Sequence, residues 1–137
     1  MSNESLRGAA FHEAGHAIVA REFGLPIGEI AVGIDGDEAK GRTDIGPAHH
    51  LPIIDRIALC VAGIIAQGLF DCPIQHFTGA ADYAKVKALV EDKSEADSLK
   101  LRHAGYVRAR EILESHAADV EQLVDRLLRH RCILFAK

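Results

Sequence analysis

Phe11-His12-Glu13-Ala14-Gly15-His16-Ala17 is the stretch that leaves this chain the fewest options. Residues four apart on a helix lie on one face with Cβ atoms about 5–6 Å apart, so a helix lets His12 and His16 reach one ion. An imidazole binds zinc through a ring nitrogen at about 2.0–2.1 Å, and a catalytic zinc takes three protein ligands and a water. Two histidines therefore leave one protein ligand to be supplied from elsewhere. Glu13, next to the first histidine, is placed to take a proton from that water. Eight histidines in 137 residues can produce the spacing by chance, but a helical setting weighs against chance. Gly15 adds to it, because a mid-helix glycine costs about 1 kcal/mol relative to alanine and usually marks close packing.

The bulk properties narrow the function. A chain of 137 residues is expected to form one domain, 1–137, with a core that needs no disulfides. The formal charge of −4, two Tyr, five Phe and no basic run leave no electrostatic footprint for nucleic acid. Cys60, Cys72 and Cys132 include no CxxC pair, which suits a reducing compartment, so a cytoplasmic protein is expected. Met1-Ser2-Asn3-Glu4 lacks the basic region and apolar run of a signal peptide. The longest apolar run, Ile57 to Ala66, is shorter than a membrane span and reads as a buried core helix.

In chain order, a first helix capped by Ser2 or Asn3 is predicted to run to about Phe23, with Phe11, Ala14, Ile18 and Val19 on one face. Gly24-Leu25-Pro26 ends it. Glu29 to Ile34 alternates, with Ile30, Val32 and Ile34 on one face, and reads as a strand. Asp35 to Gly41 is turn-like, and Arg42 to Ile45 returns as a second strand, giving a hairpin with a loose connection. A two-stranded ribbon is marginal alone, so it must lean on helices or gain a third strand. From about Pro52 to Phe70 runs a helix whose only charged or amide side chains are Asp55, Arg56 and Gln67, so it should be covered on nearly all sides. Gly63 and Gly68 are expected to admit close neighbours. After a breaker-rich loop from Asp71 to Gly79 come three helices. They are predicted near Thr78–Ala81 to Glu91, from Glu95 to Ser115 with Leu99, Tyr106, Ala109 and Leu113 on a face, and through Val120, Leu123, Val124, Leu127 and Leu128. The fold class is mainly α (α+β), about five helices with a small hairpin after the first.

Several residues compete to be the third ligand. Asp82, at the start of a helix after a loop, could aim back at the first helix, although a carboxylate there is also favoured by the helix dipole alone. Cys72 and His76 share a loop at a spacing that tempts toward a separate zinc site. His49 and His50 could approach too, but adjacent histidines at a helix entry are more often solvated. His103, His116 and His130 read as surface residues.

His12-Glu13-Ala14-Gly15-His16-Ala17-Ile18-Val19-Ala20, the hairpin after it and Thr78-Gly79-Ala80-Ala81-Asp82 before a helix resemble the zinc peptidase domain of FtsH-type AAA proteases. Cys60 to Gln67 looks like that family's Gly- and Ala-rich core helix, and Ala109-Arg110-Glu111-Ile112-Leu113 resembles part of its late helices, so the likeness spans nearly the whole chain. It implies a zincin-like helical domain in which Zn2+ is held by His12, His16 and Asp82, with Glu13 as general base. Three departures stand beside it. The Thr-Gly-Ala to Asp interval is one residue shorter than the family's, Gln67 stands where the family has a glutamate, and no GxxxxGK(S/T) P-loop or membrane segment is present. A neutral amide can orient a histidine but does not raise its basicity as a carboxylate does.

The expected function is zinc-dependent endopeptidase action on peptides or unfolded segments, as a standalone domain without a motor. Substrates would be free peptides or segments delivered by a separate ATPase or adaptor, and a homo-oligomer is possible because the related proteases form rings. The strand Glu29 to Ile34, as a sheet edge, would hold an extended peptide by strand addition. The alternative is a metal-binding regulatory or interaction module with little proteolysis; Gln67 and the missing motor favour it and Glu13 opposes it. A deformylase-like enzyme with a cysteine ligand is disfavoured, since that family places its cysteine before HExxH and all three cysteines here follow it.

Overall fold

The computed structural model describes residues 2–72 and 79–135. His76 and Thr78, and the side chains of Ser2 and Asn3, lie outside the described residues. Among the described residues, five helices surround a small sheet: α1 (Ser2–Glu22), β1 (Ile27–Asp35), β2 (Glu38–Ile45), α2 (Ile53–Leu69), α3 (Ala80–Val90), α4 (Glu95–Ser115), α5 (Ala117–His130) and β3 (Cys132–Leu134). No helix in them is long and apolar enough to cross a membrane.

The helix α1 is more central than its one-faced apolar pattern suggests. From Ala10 to Ala20 every residue except His16 is buried, because α2, α5, β1 and β2 all pack on it. Alanines and a glycine make this possible by leaving room for neighbours on every side. At Gly15 a Cβ would stand 2.6 Å from the Ala62 carbonyl oxygen and 2.7 Å from the Ala66 Cβ, so the backbones of α1 and α2 touch there. The second helix is covered as expected, with Gly68 its one exposed residue. Gly68 itself corrects an expectation: nothing lies within 4 Å of where its Cβ would be.

The hairpin is tighter than the sequence reading. Asp35 pairs with Glu38, so Gly36-Asp37 alone connects the strands, and Gly36 supplies the positive φ (66°) such a connection needs. The ribbon gains both supports it required, packing on α1 and adding a third strand. The strand order is β2-β1-β3, antiparallel throughout, with Ile30 opposite Thr43 on one side and Ile133 on the other. The third strand forms because Arg131, in left-handed conformation (φ 67°), ends α5 by donating its N–H to Leu127 and turns the chain back along β1. Two consequences correct the sequence reading. The Glu29–Ile34 strand is central rather than an edge, so β2 is the free edge on the α1 side. Ile30 and Val32 are buried but Ile34, at 43% exposure, runs past the core.

The last two helices follow their apolar stripes, with one exception. Val120, Leu123, Val124 and Leu127 bury against α1 in one core cluster. Ala109 closes on Ile57, Val61 and Val86 in a second cluster between α2, α3 and α4. Leu99 shares the stripe of Ala109 and Leu113 but is 56% exposed, since it lies near the N-terminal end of α4.

Candidate metal centre

The middle of α1 brings His12 and His16 to one face, and the first turn of α3 brings Asp82 to meet them. Gly79 starts that helix in a left-handed conformation (φ 84°), and a Cβ there would stand 2.6 Å from Ile64 Cγ1. A glycine thus lets α3 begin pressed against α2, which aims the first-turn carboxylate at α1. His12 Nε2 lies 3.1 Å from Asp82 Oδ2, His16 Nε2 lies 3.3 Å from the same oxygen, and the two Nε2 atoms are 3.3 Å apart. The group His12, His16 and Asp82 could hold a metal ion.

The distant ring nitrogens fix what the near ones can do. The Leu59 carbonyl can only accept, so His16 Nδ1 donates to it at 2.9 Å. Gln67 Oε1 accepts from His12 Nδ1 at 2.7 Å. In the neutral rings both Nε2 atoms then carry a lone pair, and each faces the other and the Asp82 carboxylate. Three electron-pair donors turned on one another need a cation among them. Their separations match a small tetrahedral ion, whose ligand atoms at about 2.0–2.1 Å from the centre stand about 3.3 Å from each other. Where a proton is the cation, the same geometry shows in the titration. Burial pushes the His12 pKa down, but hydrogen bonding to Asp82 and Gln67 and the charges of Glu13 and Asp82 outweigh it and hold it above the ordinary value. Burial likewise pushes Asp82 up, yet the two imidazoles hold it well below the usual carboxylate range.

Glu13 faces the same cleft from α1 and is held by β2. Thr43 Oγ1 donates to Glu13 Oε1 at 2.7 Å, while Glu13 Oε2 accepts no hydrogen bond among the described residues. Gly41, two residues earlier on the same strand face, makes room: a Cβ there would stand 2.7 Å from Glu13 Cγ. Gly63 does the same for the first histidine, with the His12 ring 2.6 Å from where its Cβ would be. The resulting cleft is open, about 830 Å³ in volume. His12, Glu13, His16 and Asp82 share it with Gly41 and Thr43 of β2, Arg56 and Cys60 of α2 and Lys85 of α3.

The rival ligands fall away. Cys72 stands apart from the three-residue group, where its sulfur accepts from Arg7 of α1 at 3.1 Å, and His76 lies outside the described residues. His49 reaches the cleft rim but joins no metal-capable group among the described residues, and His50, 5.8 Å from it ring to ring, is exposed. His103 and His130 are exposed, and His116 donates to Glu22 at the α4–α5 break. Among the described residues no cysteine joins the three-ligand group, in keeping with the sequence reading that disfavours a cysteine ligand.

Thr43, Gly41 and the Leu59 carbonyl are parts of the site that sequence reasoning missed. A signal for the first two was present: a glycine inside a strand marks a close backbone approach, and Thr43, two residues on, shares its face. The Leu59 carbonyl carries no signal, because every residue has one. Searched against models of known protein families and against curated proteins, the chain matches none.

Proposed function

We propose that this chain is a zinc-dependent endopeptidase, built like the peptidase domain of FtsH-type proteases and acting on peptides or unfolded segments. The observation that carries the reading is the convergence of His12 Nε2, His16 Nε2 and Asp82 Oδ2 within 3.1–3.3 Å beside an available carboxylate oxygen of Glu13. Two imidazole nitrogens and one carboxylate also suit iron(II); a general base next to the first ligand is what favours hydrolysis. His12, His16 and Asp82 would hold the zinc, which when bound would supply a Lewis acid for the scissile carbonyl and activate a water near neutral pH.

The chain's own residues do the rest. His16 and His12 are kept in one tautomer by Leu59 and Gln67, so their Nε2 lone pairs stay available for the metal. Thr43 orients the Glu13 carboxylate through Oε1, leaving Oε2 to accept the water proton and deliver it to the leaving amine. An extended substrate fits along the free edge of β2, whose Gly41, Arg42 and Thr43 line the cleft. This replaces the Glu29–Ile34 edge of the sequence reading.

The test is Glu13→Gln. It should retain stoichiometric zinc by elemental analysis while cleavage of casein or a peptide library falls by at least about a hundredfold, the scale of general-base assistance. Wild-type cleavage in that variant would remove Glu13 from the mechanism. A second reading, a metal-bearing binding module without proteolysis, is favoured by the neutral amide of Gln67 behind His12. Zinc-loaded wild-type protein that cuts nothing would support it.

A further inference from the structure

The cleft carries positive charge that neither metal binding nor proton transfer uses. Of the cations lining it, Arg42 is paired with Glu29 of β1. Arg56 and Lys85 have no ion pair and no side-chain hydrogen bond among the described residues. The acid beside Arg56 does not neutralise it, because Asp55 accepts from Arg108 at 2.7 Å. The two acids in the cleft are also engaged, Asp82 by the histidines and Glu13 by Thr43. A chain of net charge −4 therefore presents two uncompensated cations at the one place where a substrate would lie.

Their positions relative to the metal ligands follow from the helices. Arg56, Leu59, Cys60 and Gly63 form one stripe of α2, and Gly63 lies against the His12 ring. Asp82, Lys85 and Leu89 form the facing stripe of α3. At about 1.5 Å of rise per residue, Lys85 stands about 4.5 Å along α3 from Asp82, and Arg56 about 10 Å along α2 from Gly63. Gly79, before α3, meets Ile64, while Val86 and Val90 further along cluster with Ile57 and Ala58, so the two stripes run in opposite chain directions and both cations lie to the same side of the ligands. Cys60, one turn along α2 from Arg56, lines the same cleft as Lys85 and Asp82, which places both cations on the walls of one cavity. An extended peptide advances about 3.3 Å per residue, which brings a side chain one to three residues from the scissile bond within reach of both.

We infer that this cleft selects substrates bearing a carboxylate one to three residues from the bond to be cut, with Arg56 and Lys85 as the groups that bind it. The cleavage part rests on the peptidase reading; the binding part rests on the cleft alone. The carboxylate can be an Asp or Glu side chain or the terminal carboxylate of a peptide, and both present the same acceptor pair to a guanidinium.

The test uses zinc-loaded protein and matched quenched peptides with Glu, Gln or Lys at each of three positions either side of the scissile bond, each with a free or an amidated C-terminus. Wild-type protein should prefer the Glu or free-acid member by about five- to tenfold in kcat/KM, the scale expected of a partly exposed charge-assisted contact. The double variant Arg56→Glu with Lys85→Glu should invert that ratio in favour of peptides carrying Lys at the same position. A ratio within one preparation is insensitive to how much of the variant folds, and the Arg56→Lys with Lys85→Arg swap should keep the wild-type preference. The same peptide pairs are titrated calorimetrically against the zinc-loaded Glu13→Gln variant, which reads recognition without turnover. Tighter binding of the carboxylate member with no cleavage by wild type would uphold the cationic subsite and sink the peptidase reading. Equal binding of both members, or a wild-type ratio near one that the charge reversal leaves unmoved, would overturn this inference whether or not the peptides are cut.

Discussion

His12 and His16 project from the middle of a helix buried on all sides, whereas Asp82 projects from the first turn of a helix in which only Val86 and Val90 are buried. The histidine wall is braced from behind: Gln67 and the Leu59 carbonyl fix the rings, Gly63 lies flat under one of them, and Gly15 locks α1 to α2. The carboxylate wall depends on where α3 begins, and that is set by Gly79 against Ile64. One wall is built into the core and cannot move without unfolding part of it. The other is attached by a shorter interface and a single turn. Changes to the first should cost stability, and changes to the second should cost metal affinity.

The strongest test of the braced wall is Gly15→Ala. The new Cβ would meet the Ala62 carbonyl oxygen at 2.6 Å, and a backbone atom cannot rotate away as a side-chain tip can. Overpacking of this kind costs about 3 kcal/mol at its upper end, and alanine's better helix propensity returns about 1 kcal/mol. A net loss of about 2 kcal/mol is expected from urea unfolding of the metal-free protein. A neutral or stabilised variant would show that α1 and α2 are free to separate, and the contrast between the walls would collapse.

A smaller effect is expected one layer behind the ligands. Gln67→Leu removes the acceptor of the His12 Nδ1 proton and puts an apolar side chain of similar size in its place. Loss of such a partner typically lowers metal affinity by about 10–100-fold. The low end, about tenfold, applies because a neutral amide polarises the ring less than a carboxylate does. Chelator competition measures it. Unchanged affinity would mean that the helix alone orients His12. The neighbouring ring offers no equivalent experiment, since His16 is held by a main-chain carbonyl.

The contrast also explains what could be read from the sequence. The His12-Glu13-His16 face, the apolar run of α2 and the stripe of α5 were legible because each is a local period that burial then obeys. From spacing Asp82 was visible only as one of several candidates, because its role depends on how a turn aims a helix, and it was the resemblance of Thr78-Gly79-Ala80-Ala81-Asp82 to the peptidase family that singled it out. β3 was not legible: Cys132-Ile133-Leu134 is three residues long, follows a helix with no turn residue, and pairs with a strand about a hundred positions earlier. Without it β1 passes for an edge, which is why the substrate edge was assigned to the wrong strand. Ile34 and Leu99 were misjudged for a related reason, since periodicity says which face a residue occupies but not where the neighbouring element stops. Thr43 and Gly41 were read as the strand and turn they belong to, without the contact to Glu13 that gives them a role.

The smallest expected effect sharpens the comparison most. Gly79→Ala places a Cβ on a residue at φ 84°, where an L side chain costs about 1–2 kcal/mol. In the metal-free protein the start of α3 can relax to relieve that strain, because among the described residues its first turn is held by the Ile64 contact and by the hydrogen bonds that Asp82 accepts from the protonated imidazoles. Metal binding requires Asp82 Oδ2 back in place, so the strain must be restored at that moment. The cost should therefore appear as a loss of about fivefold in metal affinity, the equivalent of about 1 kcal/mol, with the urea midpoint of the metal-free protein nearly unmoved. The reverse pattern, a shifted midpoint with wild-type affinity, would mean that α3 is as firmly built into the core as α1. Asp82 would then be a fixed ligand like the histidines, and the shorter Thr-Gly-Ala to Asp interval would be a change the fold had fully absorbed.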